Sequence, residues 1–160
     1  FFTILLFLTI FDIDYLILPS SLCNIGIVSG LFFSSFMILF GENNGRVNPI
    51  LLSHFTATVI GFLSLRIFSL FIESLIGKEA LGKGDAKLAA MLGAWLGITG
   101  LGLSVFISII VGGLYSSVGL ITKKISKGDK IPFGPFLAIG GILVWILGNN
   151  FWFDLLILRI

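Results

Sequence analysis

Two short acidic stretches stand out in an otherwise apolar sequence, because neighbouring carboxylates can carry out acid–base chemistry. The first contains Asp12 and Asp14, and the second is a Gly-x-Gly-Asp run that ends at Asp85. Like charges a few ångströms apart cannot both stay ionised, so one carboxylate holds a proton while the other can accept one. Such a pair can activate a water molecule against an amide and protonate the leaving nitrogen. This is the chemistry of an aspartic protease, which needs no metal and no nucleophilic serine or cysteine.

Each stretch also has a simpler interpretation. Asp12 and Asp14 could be ordinary charges at a helix end. Side chains two residues apart point roughly 200° apart on a helix, so only one of the two can face a given neighbour. Asp85 could cap the helix that follows it, because the helix dipole favours a negative charge there. Gly82 and Gly84 let the backbone turn and approach a partner closely. Taken alone, the run does not distinguish a capped loop from a reactive site.

The composition places these carboxylates in a membrane protein. Hydrophobic residues make up 57% of the 160 residues and charged residues only 11%, and the mean hydropathy is +1.14. Long apolar runs separated by short polar loops are typical of membrane-spanning helices.

The single cysteine, Cys23, excludes an internal disulfide and a cysteine-based metal cluster. The first apolar run lacks a basic start, so no cleavable signal is predicted, and because the chain opens on Phe1 rather than Met we expect a fragment.

We predict an all-α, polytopic membrane protein with about six transmembrane helices in one membrane-embedded domain, residues 1–160. Pro19 stops the first helix, and the glycines at 97 and 100 break the chain between the fourth and fifth. The fourth helix is short for a span of roughly 20 residues. Residues 149–160 are expected to form an interfacial tail. The six predicted helices are 1–17, 22–41, 50–76, 85–97, 100–122 and 132–148.

The basic residues predict how the helices are oriented. Of the ten Lys and Arg residues, seven lie in or beside two loops, at positions 78, 83 and 87 and at positions 123, 124, 127 and 130. The positive-inside rule places both loops in the cytoplasm. Counting spans from there puts the 42–49 turn outside and the Pro19 turn inside. Asp12, Asp14 and Asp85 are then expected at the cytoplasmic face, together with the Pro-Phe-Gly-Pro run at 132–135.

Four sequence blocks together resemble the prepilin peptidases, which are the type IV leader peptidases of bacterial pilus and type II secretion systems. The blocks occur in that family's order and cover nearly the whole chain, so they are far more specific than Gly-x-Gly-Asp alone. They are Asp12-Ile13-Asp14-Tyr15-Leu16-Ile17-Leu18-Pro19, the stretch from Gly77 to Leu88, Gly93-Ala94-Trp95-Leu96-Gly97, and Pro132-Phe133-Gly134-Pro135-Phe136-Leu137-Ala138.

The resemblance implies a polytopic aspartic protease of the bacterial inner membrane. It would remove the short basic leader from prepilins or pseudopilins at the cytoplasmic side, just after a glycine. In the family pattern the first catalytic aspartate stands seven residues before the proline, here Asp12, and the second ends the Gly-x-Gly-Asp run, here Asp85. Asp14 is expected to support Asp12, although the opposite assignment stays open. The other supporting positions are Pro19, Gly82, Gly84, Lys87, Pro132, Phe133, Gly134 and Pro135.

The expected partners are the prepilin or pseudopilin substrates and the lipid bilayer, with no nucleic acid, no cofactor and no metal. Bifunctional members of the family carry two more spanning helices and a cytoplasmic domain in front, often with zinc-binding Cys-x-x-Cys pairs. These are not present in the sequence, so methylation with S-adenosylmethionine is doubtful for this chain and zinc binding is not predicted. A further departure is Ser20 after the proline, where many relatives have an acidic or amide residue.

Two other functions remain as alternatives. A Gly-x-Gly-Asp intramembrane protease of the presenilin kind would pair the motif with Tyr-Asp and Pro-Ala-Leu, whereas this chain has Asp-Ile-Asp and Pro-Phe-Gly-Pro. A proton-coupled transporter or assembly component could use the aspartates as a relay.

His54 has no acidic or cysteine neighbour at ligand spacing and is expected to be structural or interfacial. Arg66 is expected to extend towards the inner face, or to pair with Asp14 or a substrate carboxylate.

Overall fold

The computed structural model describes residues 1–40, 47–76, 82–123 and 131–157, and the regular structure in these ranges is helical throughout. This confirms the predicted all-α class. The described residues form five helices rather than the predicted six. They are α1 (Phe2–Tyr15), α2 (Ser20–Phe40), α3 (Val47–Ile76), α4 (Lys83–Ile121) and α5 (Gly134–Ile157).

Three of the described helices are long and apolar enough to cross a membrane. The apolar stretches are Ser20–Met37, Ile50–Ser74 and Gly84–Ile121, and α5 contains a shorter one at Gly134–Gly148. Large apolar side chains also cover the outside of the helices, for example Phe32 at 72% exposure and Ile121 at 81% exposure. Such a surface suits lipid, whose acyl chains are as apolar as the side chains they contact.

The difference in helix number arises at Gly97, where two predicted helices join into α4. Gly97 has φ 70° and ψ −175°, a conformation that is essentially restricted to glycine. A Cβ placed on Gly61 of α3 would meet the Ala89 carbonyl oxygen at 2.8 Å and Leu101 Cδ2 at 3.1 Å. Positions 89 and 101 would lie about 18 Å apart along a straight helix. The two halves of α4, residues 83–96 and 98–121, are therefore folded back against each other at Gly97. The predicted break is confirmed, but no loop separates the two halves.

Other boundaries differ by a few residues. Leu16 adopts a left-handed conformation (φ 53°, ψ 29°) and donates its N–H to the Asp12 carbonyl, which ends α1 at Tyr15 before Pro19 is reached. At the other end, α5 continues through a non-helical Gly148 to Ile157, so most of the predicted tail is helical. The predicted 42–49 turn lies largely outside the described residues, as do residues 77–81 and the lysines at 124, 127 and 130.

Small residues bring the helices close together and fix their directions. In α3, Ala57 lies against Gly93 and Gly61 lies against Ala89, so α3 runs antiparallel to the first half of α4. The contacts of Gly26 with Met91 and Gly30 with Trp95 show that α2 runs parallel to that half. Close packing between small residues is a common basis of helix association in membranes. The buried core between α1, α2, α4 and α5 contains Leu5, Leu8, Cys23, Leu88, Met91, Leu92 and Leu137.

These directions give the helix bundle two distinct ends. At one end α1 finishes and α2, α4 and α5 begin, and we call it the acid end because it holds Asp12 and Asp85. At the other, the aromatic end, four rings pack together with centroids 5.1 to 6.2 Å apart. These rings belong to Phe1, Phe33, Trp95 and Trp145.

Candidate active site

Two buried carboxylates meet at the acid end. Asp12 is 5% exposed and Asp85 is 4% exposed. Both lie where the end of α1 contacts the starts of α4 and α5, because Gly84 packs against Leu18 and Gly134 packs against Asp12. Asp12 comes from the last turn of α1 and Asp85 from the first turn of α4. Asp14 is exposed, as expected for a side chain that points roughly 200° away from Asp12 on the same helix. The structure therefore brings together the two aspartates predicted to be catalytic and leaves Asp14 outside the pair.

Backbone at the start of α4 holds the Asp85 carboxylate. The Gly82 N–H donates to Asp85 Oδ2 at 3.1 Å, and the Asp85 N–H donates to the Gly82 carbonyl at 3.1 Å. Helix N-termini stabilise negative charge because their first N–H groups lack partners within the helix. Asp85 thus accepts an N–H at the start of α4, which agrees with the capping interpretation of the Gly-x-Gly-Asp run, and it is also a buried carboxylate, so its reactive role stays a prediction.

The start of α5 holds the Asp12 carboxylate in a similar way. The Gly134 N–H donates to Asp12 Oδ2 at 2.9 Å, and this hydrogen bond is buried. A Cβ on residue 134 would lie only 2.5 Å from the same oxygen and 3.1 Å from Asp12 Cγ, so the approach requires glycine. Pro132 and Pro135 on either side have no N–H to offer. Each carboxylate therefore accepts a helix N-terminal N–H through Oδ2, and neither Oδ1 makes a hydrogen bond within the described residues.

The turn between α1 and α2 packs against the Gly-x-Gly-Asp run. Leu18 is 7% exposed, and a Cβ on Gly84 would collide with Leu18 Cβ. The next residue, Pro19, is half-buried and accepts the Cys23 N–H through its carbonyl at 3.2 Å. The proline turn thus fixes the end of α1 against the start of α4, which is where the two carboxylates meet.

Comparison with known proteins identifies the family of this chain. Residues 1–117 match the type IV leader peptidase family, a stretch that contains both buried aspartates. The chain belongs to the type IV leader peptidase family.

Several bacterial members of the type IV leader peptidase family are similar over most of this chain, and all three compared here are named prepilin leader peptidase/N-methyltransferase. The protein of Stutzerimonas stutzeri is 35% identical over 91% of the chain and 47% of its own length. The protein of Pseudomonas aeruginosa is 36% identical over 91% of the chain and 47% of its own length. The protein of Neisseria gonorrhoeae is 34% identical over 92% of the chain and 47% of its own length. The chain thus spans about half the length of the curated relatives it matches. No solved structure matches it.

The remaining predicted site residues make no hydrogen bond to either carboxylate within the described part of this type IV leader peptidase family member. Lys87 is half-buried and makes no hydrogen bond or ion pair within the described ranges. Pro132 and Phe133 are half-buried and Pro135 is buried. In the part of the chain that the structure describes, no group of three or more His, Cys, Asp or Glu side chains could hold a metal ion.

Sequence reasoning placed Gly134 in the site but missed what it does. Its function is carried by a backbone N–H, which no side-chain pattern displays. The signal was the spacing itself, because Gly134 stands between two prolines at the predicted start of a helix, where a free N–H is available. His54 was also expected to be structural or interfacial, and it hydrogen-bonds to α4.

Proposed function

We propose that this chain is a membrane aspartic endopeptidase that removes the leader peptide of type IV prepilins or of type II secretion pseudopilins. The observation that carries the proposal is the pair of buried carboxylates, Asp12 and Asp85, each held at a helix N-terminus with one oxygen left without a described partner. Membership of the type IV leader peptidase family supports the same activity. No cofactor is needed for this chemistry.

In the proposed reaction the two carboxylates share one proton. The ionised member takes a proton from a water molecule, and the water oxygen attacks the carbonyl carbon of the scissile peptide bond. The protonated member donates its proton to the leaving nitrogen, after which the C–N bond breaks and a carboxyl group and an amine are released. We propose cleavage alone and not methyl transfer, because the carboxylate pair accounts for peptide hydrolysis only.

We further propose that the chain crosses the bacterial inner membrane about six times, with the acid end at the cytoplasmic face. The fold-back at Gly97 supports two crossings by α4, whose 39 residues would extend for about 58 Å if straight, against a hydrocarbon core of about 30 Å. The distribution of Lys and Arg supports the cytoplasmic orientation.

The proposed substrate enters with its apolar helix in the bilayer, next to α1, α3, the first half of α4 and α5. Its basic leader remains at the cytoplasmic boundary, where anionic lipid headgroups favour positive charge. The scissile bond would then lie level with Asp12 and Asp85, at the acid end of the helices.

Cleavage of a prepilin-type substrate in membranes tests the proposal. The intact chain is compared with Asp12→Asn, Asp14→Asn and Asp85→Asn at equal amounts of membrane-inserted protein. We expect cleavage by the intact chain and by Asp14→Asn, and loss of cleavage with the other two variants. Loss with Asp14→Asn but not with Asp12→Asn would move the first catalytic role by two residues. No cleavage by the intact chain would contradict the proposed function.

A further inference from the structure

The bend in α4 separates two backbone groups that a continuous helix would pair. In such a helix the Ile98 N–H would donate to the carbonyl of Ala94, four residues earlier. The extended ψ of −175° at Gly97 lies between them and turns the peptide group away. Unpaired N–H and C=O groups cost several kcal/mol in an apolar environment, so the buried Ala94 carbonyl in particular needs a new partner.

Side chains of α2 and α3 supply these partners. Ser34 donates its hydroxyl to the Ala94 carbonyl at 3.0 Å, and His54 Nδ1 lies 3.0 Å from the same oxygen and 3.2 Å from Ser34 Oγ. The Ile98 N–H donates to Ser53 Oγ at 3.4 Å. Since a carbonyl can only accept, the contact between His54 and Ala94 is a hydrogen bond in which Nδ1 is the donor. We call Ser34, Ser53 and His54 the bend clamp.

The serine hydroxyl of the clamp at Ser34 bonds between helices, whereas other hydroxyls bond within their own helix. Thr58 and Ser64, which lie further along α3, bond to carbonyls of their own helix. Ser34 instead reaches a carbonyl 60 residues away and is 6% exposed. The clamp therefore joins three helices at the point where α4 has lost its own hydrogen bond.

The bend lies on the path that connects the two carboxylates. Asp85 begins the first half of α4, while the second half is joined to α5 by the buried hydrogen bond from Ser108 Oγ to the Phe136 carbonyl at 2.9 Å. The start of α5 in turn holds Asp12 through the Gly134 N–H. Asp85 lies twelve residues, or about 18 Å, from Gly97. A change of about 5° at the bend would displace it by about 1.6 Å over that length.

We propose that Ser34, Ser53 and His54 are positioning residues that hold α4 folded at Gly97 and thereby keep Asp85 against Asp12. The consequence for cleavage rests on the proposed peptidase function, whereas the consequence for helix positions does not. Loss of the clamp lets the angle between the two halves of α4 vary and separates the carboxylates for part of the time. A misplacement of about 1 Å at reacting groups can lower a rate by about 100-fold.

A distance measurement tests the clamp without relying on activity. Spin labels are attached at Ile10→Cys in α1 and Ile67→Cys in α3, both exposed positions, in a membrane-embedded chain with Cys23→Ala. The control is Ser64→Ala, which changes a serine outside the clamp, and we expect it to give the same single narrow distance as the otherwise unaltered chain. For His54→Leu combined with Ser34→Ala we expect a broader distribution of distances with a shifted centre. An unchanged distribution in that combined variant would overturn the proposal.

His54→Asn provides the conservative exchange, because its amide can place an N–H donor near the position of Nδ1. We expect His54→Asn to retain the narrow distance that His54→Leu loses. If His54→Asn and His54→Leu give the same distance distribution, the hydrogen bond from His54 does not hold the bend, and the proposal fails. This comparison remains decisive if the combined variant does not insert into the membrane.

Kinetics of prepilin cleavage complete the test. We expect His54→Leu to lower kcat by about 100-fold, as for misplaced reacting groups, with KM nearly unchanged because the clamp lies away from the substrate's scissile bond. A loss of folded protein with unchanged kcat per folded molecule would show that the clamp only stabilises the fold, which contradicts positioning. If the intact chain cleaves nothing, the proposed function fails, and the spin-label distances still decide whether the clamp sets the helix positions.

Discussion

The acid end and the aromatic end are built by the same helices but joined in different ways. At the aromatic end, Phe1, which directly precedes α1, packs on Trp95 of α4 and on Trp145 of α5 with ring centroids 5.1 Å apart. At the acid end, α1 reaches α5 through one hydrogen bond to the Asp12 carboxylate. Apolar contacts tolerate small displacements, whereas a carboxylate held by a single N–H has one correct position. We therefore expect changes at the acid end to lower the cleavage rate and changes at the aromatic end to lower stability.

Among glycine substitutions at the acid end, the largest effect is expected from Gly134→Ala. The new Cβ would lie 2.5 Å from Asp12 Oδ2, so the carboxylate must move or give up its hydrogen bond. We predict a fall in kcat of about 100-fold, as for other misplaced reacting groups, with little change in thermal stability. Gly113→Ala is the control, because a Cβ there meets nothing within 4 Å. A Gly134→Ala variant that cleaves as fast as Gly113→Ala would show that this contact does not position Asp12.

A smaller effect is expected from Gly84→Ala, which acts through the proline turn. The added Cβ collides with Leu18 Cβ, so the turn before Pro19 must shift away from α4. Overpacking of this kind costs about 1–3 kcal/mol of unfolding free energy. Because the turn carries the end of α1, the shift also displaces Asp12, and we predict a fall in kcat of about tenfold, which corresponds to about 1.4 kcal/mol of activation free energy. Gly102→Ala, whose Cβ meets nothing within 4 Å, serves as the comparison in the same helix. Equal kcat values for the two variants would contradict the role of this contact.

The features of the two ends that depend on residue type could be predicted from the sequence. Apolar runs located the helices, Gly97 marked the break, and the resemblance of the Asp12 and Asp85 blocks to a known family anticipated which carboxylates would meet. A sequence pattern does not display backbone donors, so the part played by the Gly134 N–H was not predicted. The hydrogen bonds of Ser34 and His54 to Ala94 also escaped prediction, because they depend on which carbonyl the bend at Gly97 leaves free. The helix after Gly148 was missed because glycine usually ends a helix.

At the aromatic end, Trp145→Leu is expected to lower stability and leave catalysis intact. Trp145 contacts three other rings in the cluster, and each aromatic pair contributes about 0.5–1.5 kcal/mol. We predict a loss of about 2 kcal/mol in unfolding free energy, measured in detergent. The kcat per folded molecule should remain unchanged. Ile146→Ala, at a position 65% exposed in the same helix, should cost less. A marked fall in kcat for Trp145→Leu would show that the two ends are not independent.

The smallest effect is expected from Lys87→Gln near the acid end. Lys87 makes no hydrogen bond or ion pair within the described residues, so little is lost when its charge is removed. We predict a change in kcat/KM of at most about fivefold, which corresponds to about 1 kcal/mol, the upper end for a charge that makes no close ion pair. A fall of tenfold or more in the cleavage assay would assign Lys87 a direct part in binding the substrate or in the chemistry of Asp85.

The most direct test of the account is whether Asp12 and Asp85 act as one unit. Cleavage of a prepilin-type substrate is measured for Asp12→Asn, Asp85→Asn and the double variant, each at equal amounts of folded protein. Residues that act as a unit have strongly non-additive effects. We predict that the residual rate of the double variant equals that of each single variant. A double variant slower than either single variant by the product of their separate effects would show that the two aspartates act independently, and would contradict the account.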